Sequence, residues 1–215
     1  MLPAWDLQAV TGPRPTGLGY SVQLLLDAYR AHGGPGGGRA DVCELRPNDR
    51  DEPLRGVPDR LAWEQWRLPR AVGRTLRYAA RTKQAPPALL YCPALGAPLR
   101  CALPRVAHVH DLIPLADPGQ FSGAARWYWT TLLPACWRRC RVLTVSNASL
   151  VDEVAERLRL PRERIHVVPY YANLPAPVAA ATRRRPSRGG ACSTLPFSWA
   201  RVAQAPPLPS YFFRV

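Results

Sequence analysis

Along the chain, short continuous apolar runs alternate with longer stretches in which apolar residues recur at helical spacing. Ala4 to Val10 is the first short run, and it ends in the glycine- and proline-rich turn TGPRPTGLGY. SVQLLLDAYRAHGG follows, with Val22, Leu25, Leu26 and Tyr29 on one helical face and Gly33-Gly34 as a stop. A second strand is expected over Asp41 to Leu45 and a polar loop over Pro47 to Pro58. The segment DRLAWEQWRLPRAVGRTLRYAAR reads as a helix interrupted by Pro69, with Trp63, Trp66, Val72 and Leu76 among its apolar positions. Ala88 to Cys92, Val106 to Val109, RVLTV and Ile165 to Pro169 read as further strands, and ARWYWTTLLPACWRRC and SLVDEVAERLRL as helices.

Strands that are apolar throughout, alternating with helices, imply an α/β domain with a parallel Rossmann-like sheet covered on both faces. Ligands of such sheets sit beyond the carboxyl ends of the strands. Three features fall on that edge: the glycine loop at Gly17 to Gly19, the pair His110-Asp111 in RVAHVHDLIPLADP, and Ser146-Asn147 after the RVLTV strand. Each has a plain structural reading as well. The glycines permit a tight strand-to-helix turn, Ser146 or Asn147 can cap the following helix, and His110 can be satisfied by backbone at a strand end. His108 shares the sheet face of His110 by the period of two and reads as core. Trp63 and Trp66 could shape a groove, although aromatics at helical spacing usually pack in cores.

Composition sharpens this picture in a few respects. The net charge of +14 is carried almost wholly by arginine, with Lys83 as the single lysine. Arginine suits carboxylates and phosphates, so the excess admits nucleic acid, an anionic membrane surface or a phosphorylated substrate; GC-rich coding bias accounts for the Lys/Arg ratio. Nucleic-acid binding is not expected, because the arginines are spread along helices and no nucleic-acid motif is present. The six cysteines form no C-x-x-C pair and read as free buried thiols, and no metal site is expected. No window reaches the length of a membrane span, and the N-terminal stretch lacks the pattern of a secretory signal. The chain therefore reads as cytoplasmic, with peripheral contact at the inner membrane face through the Trp-bearing basic helices 59–81 and 124–141 as a compatible addition.

Taken together, TGLGYSVQLLLDAYR, WEQWRLPRAV, YCPALGAPLRCALPRVAHVHDLIPL and RVLTVSNASLVDEVAERLRLPRERIHVVPYYAN resemble the N-terminal half of a family-4 glycosyltransferase of the GT-B fold, over most of residues 4–173. The resemblance implies an acceptor-binding Rossmann-like domain facing a second domain that holds a nucleotide sugar. It implies transfer of a hexose-type sugar, with retention and without a metal or other cofactor, from a UDP- or GDP-sugar to a saccharide or lipid-linked acceptor. By this likeness His110 contacts the transferred sugar or the acceptor hydroxyl, and Asp111 orients that ring or binds a hydroxyl. Gly17 and Gly19 let backbone N–H groups approach a phosphate at a helix start, with Ser146 and Asn147 as further candidates on the same edge.

The domain is accordingly placed at residues 1–173 and an irregular Arg/Pro-rich tail at 174–215. Two departures from the family pattern stand out. Pro169 is followed by Tyr170-Tyr171-Ala172-Asn173 where the family has a Pro-Asn-Gly-type turn, and no glutamate follows Glu163, so the paired glutamates of a donor domain are missing. The tail reads either as that of a genuine short protein or, the favoured reading, as the product of a frameshift, and in both cases the fragment is expected to be inactive alone. The alternative reading is a basic non-catalytic binding module for nucleic acid or an anionic membrane surface.

Overall fold

The computed structural model describes residues 1–10, 16–33, 38–47, 54 and 56–168. Its strands are β1 (Pro3–Asp6), β2 (Cys43–Leu45), β3 (Leu89–Cys92), β4 (Arg105–Val109), β5 (Val142–Val145) and β6 (Ile165–Val167). The helices are α1 (Gly17–His32), α2 (Gly56–Ala62), α3 (Leu68–Thr82), α4 (Ile113–Ala116), α5 (Gly123–Trp127), α6 (Leu133–Arg138) and α7 (Ser149–Leu158). The six strands form one sheet in the order β2-β1-β3-β4-β5-β6, and every neighbouring pair is parallel. This is the α/β Rossmann-like architecture that the strand pattern implies.

β1, β3 and β5 are buried at every position, which is why they read as unbroken apolar runs. Alternate residues serve two separate cores. Trp5, Leu89, Tyr91 and Val106 meet Val22, Leu26 and Tyr29 of α1 on one face. Ala4, Leu90, Cys92, Ala107, Val109 and Leu143 meet Trp63, Leu68, Val72, Trp137, Val154 and Leu158 on the other. His108 is fully buried, as expected of a core residue.

Pro69 does not interrupt its helix. Proline has no N–H, and in an α-helix its ring collides with the carbonyl four residues back, here that of Gln65. The chain widens instead into a π-helical turn, Trp63–Arg67, in which Leu68 N–H bonds the Trp63 carbonyl. The same device recurs at Tyr128–Leu132 ahead of Pro134, with Leu133 N–H bonding the Tyr128 carbonyl. Each π turn inserts a residue and rotates the helix face that follows. Trp63 is therefore buried while Trp66, three residues on, is 54% exposed, contrary to its expected place among the apolar positions.

β1 ends earlier than the run to Val10 suggests. Asp6 accepts the Gln8 N–H at 3.1 Å and bends the chain, and a turn bond from Val10 N–H to the Leu7 carbonyl follows at 3.0 Å. Among the described residues Cys92, Cys136 and Cys140 are buried free thiols, while Cys43 and Cys101 are half-buried free ones. No helix among these residues is long and apolar enough to cross a membrane. The Pro169 to Asn173 junction, the 174–215 tail with Cys192, and residues 11–15 of the glycine-rich turn lie outside the described residues.

Candidate functional site

In this strand order the chain moves from β1 to β2 on one side and to β3 on the other, so the carboxyl ends of β1 and β3 flank the topological switch point where open α/β sheets bind ligands. The residues leaving β1, the segment after β3, and His110 just beyond β4 share this edge.

His110 is half-buried. Its Nε2 lies 2.7 Å from the carbonyl oxygen of Pro93, the first residue after β3. A carbonyl only accepts, so the bond assigns the proton to Nε2 and makes Nδ1 the basic nitrogen of the neutral ring. Burial pushes its pKa below the ordinary histidine range, against the opposing influence of the Pro93 bond and of the Asp111 charge. Its ring lies 4.5 Å from that of His108, centroid to centroid. His108 Nδ1 is bonded across the sheet to the Thr144 hydroxyl at 2.9 Å, and burial holds it well below the ordinary range as well. The result is a pair of neutral imidazoles at the mouth of the sheet, their planes tilted by 52° to one another, the outer one fixed in a single tautomer. Asp111 accepts the Ile113 N–H at 3.0 Å and starts the short α4.

The other candidates are placed as follows. Thr16 caps α1, its hydroxyl accepting the Gly19 N–H at 3.2 Å, so the Gly19 amide serves the helix itself. Among the described residues a Cβ at Gly17 would meet no atom within 4 Å, so their packing does not call for glycine there. The cap position of α7 is Ala148, one residue later than expected, but Asn147 still takes up first-turn donors, accepting the Leu150 N–H at 3.1 Å and the Ser149 hydroxyl at 2.6 Å. Ser146 is half-buried at the end of β5. The edge thus brings His110 and the β1 and β3 termini together, while Gly19 and Asn147 are engaged in starting helices.

Next to this edge lies a buried carboxylate cluster. Asp6, fully buried, accepts Trp63 Nε1–H at 2.8 Å and Gln8 Nε2–H at 2.9 Å. Glu64, 1% exposed, accepts the Tyr128 hydroxyl, which lies 2.8 Å from Oε2 and 3.0 Å from Oε1. Arg60 Nη1 is 3.9 Å from Glu64, and its guanidinium lies over the Trp129 ring at 5.6 Å. Burial raises Asp6 to about 7, with Trp63, Gln8 and Arg60 pulling the other way. It raises Glu64 to about 8, against Arg60 and Tyr128 and with a small addition from Asp6. Both carboxyls therefore hold protons near neutral pH. Sequence reasoning missed this cluster, since Asp6 and Trp63 are joined over 57 residues and Tyr128 and Glu64 over 64.

Among the described residues no group of three or more His, Cys, Asp or Glu side chains is arranged to hold a metal ion. A family model described as Glycosyltransferase Family 4 matches residues 16–173, well over half of the chain. Comparison with curated proteins gives no match.

Proposed function

Because the chain belongs to glycosyltransferase family 4, and its function is of the glycosyl-transferring type with a saccharide acceptor, we propose that it is the acceptor-binding half of a retaining, nucleotide-sugar-dependent enzyme of the GT-B type. The observation that carries this reading is His110 at the carboxyl end of β4, neutral and held as the Nε2–H tautomer by Pro93. A neutral imidazole whose tautomer is set by backbone has a basic nitrogen of defined position, the kind of group that accepts from a sugar or acceptor hydroxyl. In the reaction the bond from the anomeric carbon to the donor phosphate breaks, the bond to the acceptor oxygen forms, and the hydroxyl proton leaves with the departing nucleotide. No metal or other cofactor takes part, and the donor is a UDP- or GDP-sugar. The donor-binding surface belongs to a second domain, so the 1–173 unit binds acceptor but does not transfer by itself.

The test is equilibrium binding of the chain to a panel of short oligosaccharides and polyprenyl-diphosphate-linked saccharides, set against UDP- and GDP-sugars. Binding of a member of the first group, weakened roughly 3- to 10-fold by His110→Ala, is the expected result. Binding of nucleotide sugars alone would overturn the acceptor assignment.

A second feature supports peripheral contact with an anionic membrane, where a lipid-linked acceptor would be found. Arg67, Arg70, Arg74, Arg77 and Arg81 recur at i+3 and i+4 and are all exposed. They run beside Tyr78, 61% exposed, and Trp66. The opposite side of α3 buries Leu68, Val72 and Ala79, so the helix is basic and aromatic outward and apolar inward. Each arginine at an anionic surface contributes about 1 kcal/mol. Replacing Arg70, Arg74 and Arg77 by glutamine is therefore expected to weaken sedimentation with anionic vesicles by roughly 100-fold. Binding that is indifferent to lipid charge and to salt would remove this reading.

A further inference from the structure

We propose that Glu64 and Tyr128 are positioning residues for His110, acting through the segment Pro93 to Gly96 that arches over the carboxyl end of β3. The inference takes the role of His110 from the reading above, but its geometry stands without it.

One end of the arch is fixed by contact with Glu64. A Cβ on Gly96 would collide with Glu64 Oε1 and Cδ, so the main chain there rests directly on the carboxyl group. The carboxyl in turn accepts the hydroxyl of fully buried Tyr128, with Arg60 Nη1 3.9 Å away and the Gln8 side chain as a further partner. The other end is Pro93, whose carbonyl holds the His110 ring. Between them Leu95 sits at φ 72°, a left-handed conformation costly for a branched side chain. Its carbonyl accepts the Trp137 indole N–H at 2.8 Å. Beyond Gly96, Gln65 brackets the chain by donating to the Ala97 carbonyl at 3.2 Å and accepting the Leu99 N–H at 2.9 Å.

The arch is therefore short, pinned at each step and strained at its centre, so a change in the Glu64 carboxyl reaches the Pro93 carbonyl within four residues. Glu64, Gln65 and Tyr128 all lie on the two π turns. Such turns recur at functional sites, and here the widened turns bring the acid, the amide bracket and the phenol against the arch.

The chain has four histidines, so the tautomer of each can be followed by long-range proton–nitrogen NMR on chain carrying labelled histidine. In the wild type His110 should give the signature of a neutral ring protonated at Nε2 alone. Glu64→Ala and Tyr128→Phe are expected to turn this into an average of both tautomers, while His108, bonded to Thr144 within the sheet, keeps its signals. Glu64→Gln, which retains the shape and an acceptor for Tyr128, should preserve the wild-type signature. An unchanged His110 in Glu64→Ala and Tyr128→Phe would overturn the proposal. So would equal changes at His108 and His110, since these mark a general loosening of the sheet. Tyr128→Phe, which keeps the ring and its packing, supplies the readout should Glu64→Ala fail to fold. Neither outcome depends on whether the chain binds an acceptor.

Discussion

Raising the pH from about 6.5 to about 8 will destabilise this domain by about 2 kcal/mol. The cause is the buried pair Asp6 and Glu64. In the unfolded chain both are ionised above about pH 5, whereas in the fold burial keeps them protonated up to about 7 and about 8. Across this window the folded state binds more protons than the unfolded one, and stability is lost as pH rises through the folded values. Below the window the trend is masked. His108 and His110 are held neutral by burial, so there the folded state binds fewer protons at these rings, and acidification costs stability that protonation of the carboxyls restores. The expected profile is a plateau on the mildly acidic side and a decline on the alkaline side. In thermal melts at a series of pH values the wild-type midpoint should fall by roughly 4–8 °C across the window. The double variant Asp6→Asn, Glu64→Gln, in which neither position titrates, should stay level. A wild-type midpoint that rises with pH would show both groups to be ionised in the fold.

Gly96→Ala is expected to cost about 2–4 kcal/mol, the range of an overpacked core with a displaced buried polar group. The added methyl would overlap Glu64 Oε1, so either the arch or the carboxyl must move, and the carboxyl cannot move without losing Tyr128. If this is the mechanism, shortening the acid makes room. Glu64→Ala alone should destabilise by leaving the buried Tyr128 hydroxyl without its acceptor, but Gly96→Ala in that background should cost far less. The double-mutant cycle, read by urea unfolding, is expected to show a coupling of at least about 1 kcal/mol. Additive costs would mean that the two sites do not touch.

How much of this was legible in the sequence follows from the range of the interactions. The sheet was legible because β1, β3 and β5 are buried on both sides and so written as unbroken apolar runs, and α1 because Val22, Leu26 and Tyr29 mark a single buried stripe. The carboxyl edge followed from the parallel order, and HDLIPL marked His110 as lying on it. What could not be read is the cluster beneath. Glu64 stands between two tryptophans in a helical run where a charged residue ordinarily faces water. Only the π turn rotates it inward, and the one local sign of that turn is Pro69. The partners of Asp6 and Glu64 come from distant segments, which no local periodicity reveals. The engagement of Gly19, by contrast, has a local sign. Thr16 stands three residues before it in the position of a helix cap, the arrangement that takes up the Gly19 amide.

Whether His110 meets an acceptor is tested most directly by the histidine NMR spectrum of the wild-type chain during titration with an oligosaccharide or polyprenyl-diphosphate-linked saccharide, and separately with a UDP-sugar. Saturable movement of the His110 resonances with the acceptor, and none with the nucleotide sugar, is the predicted result. A His110 that stays fixed through the acceptor titration while the nucleotide sugar perturbs the spectrum would contradict the acceptor role.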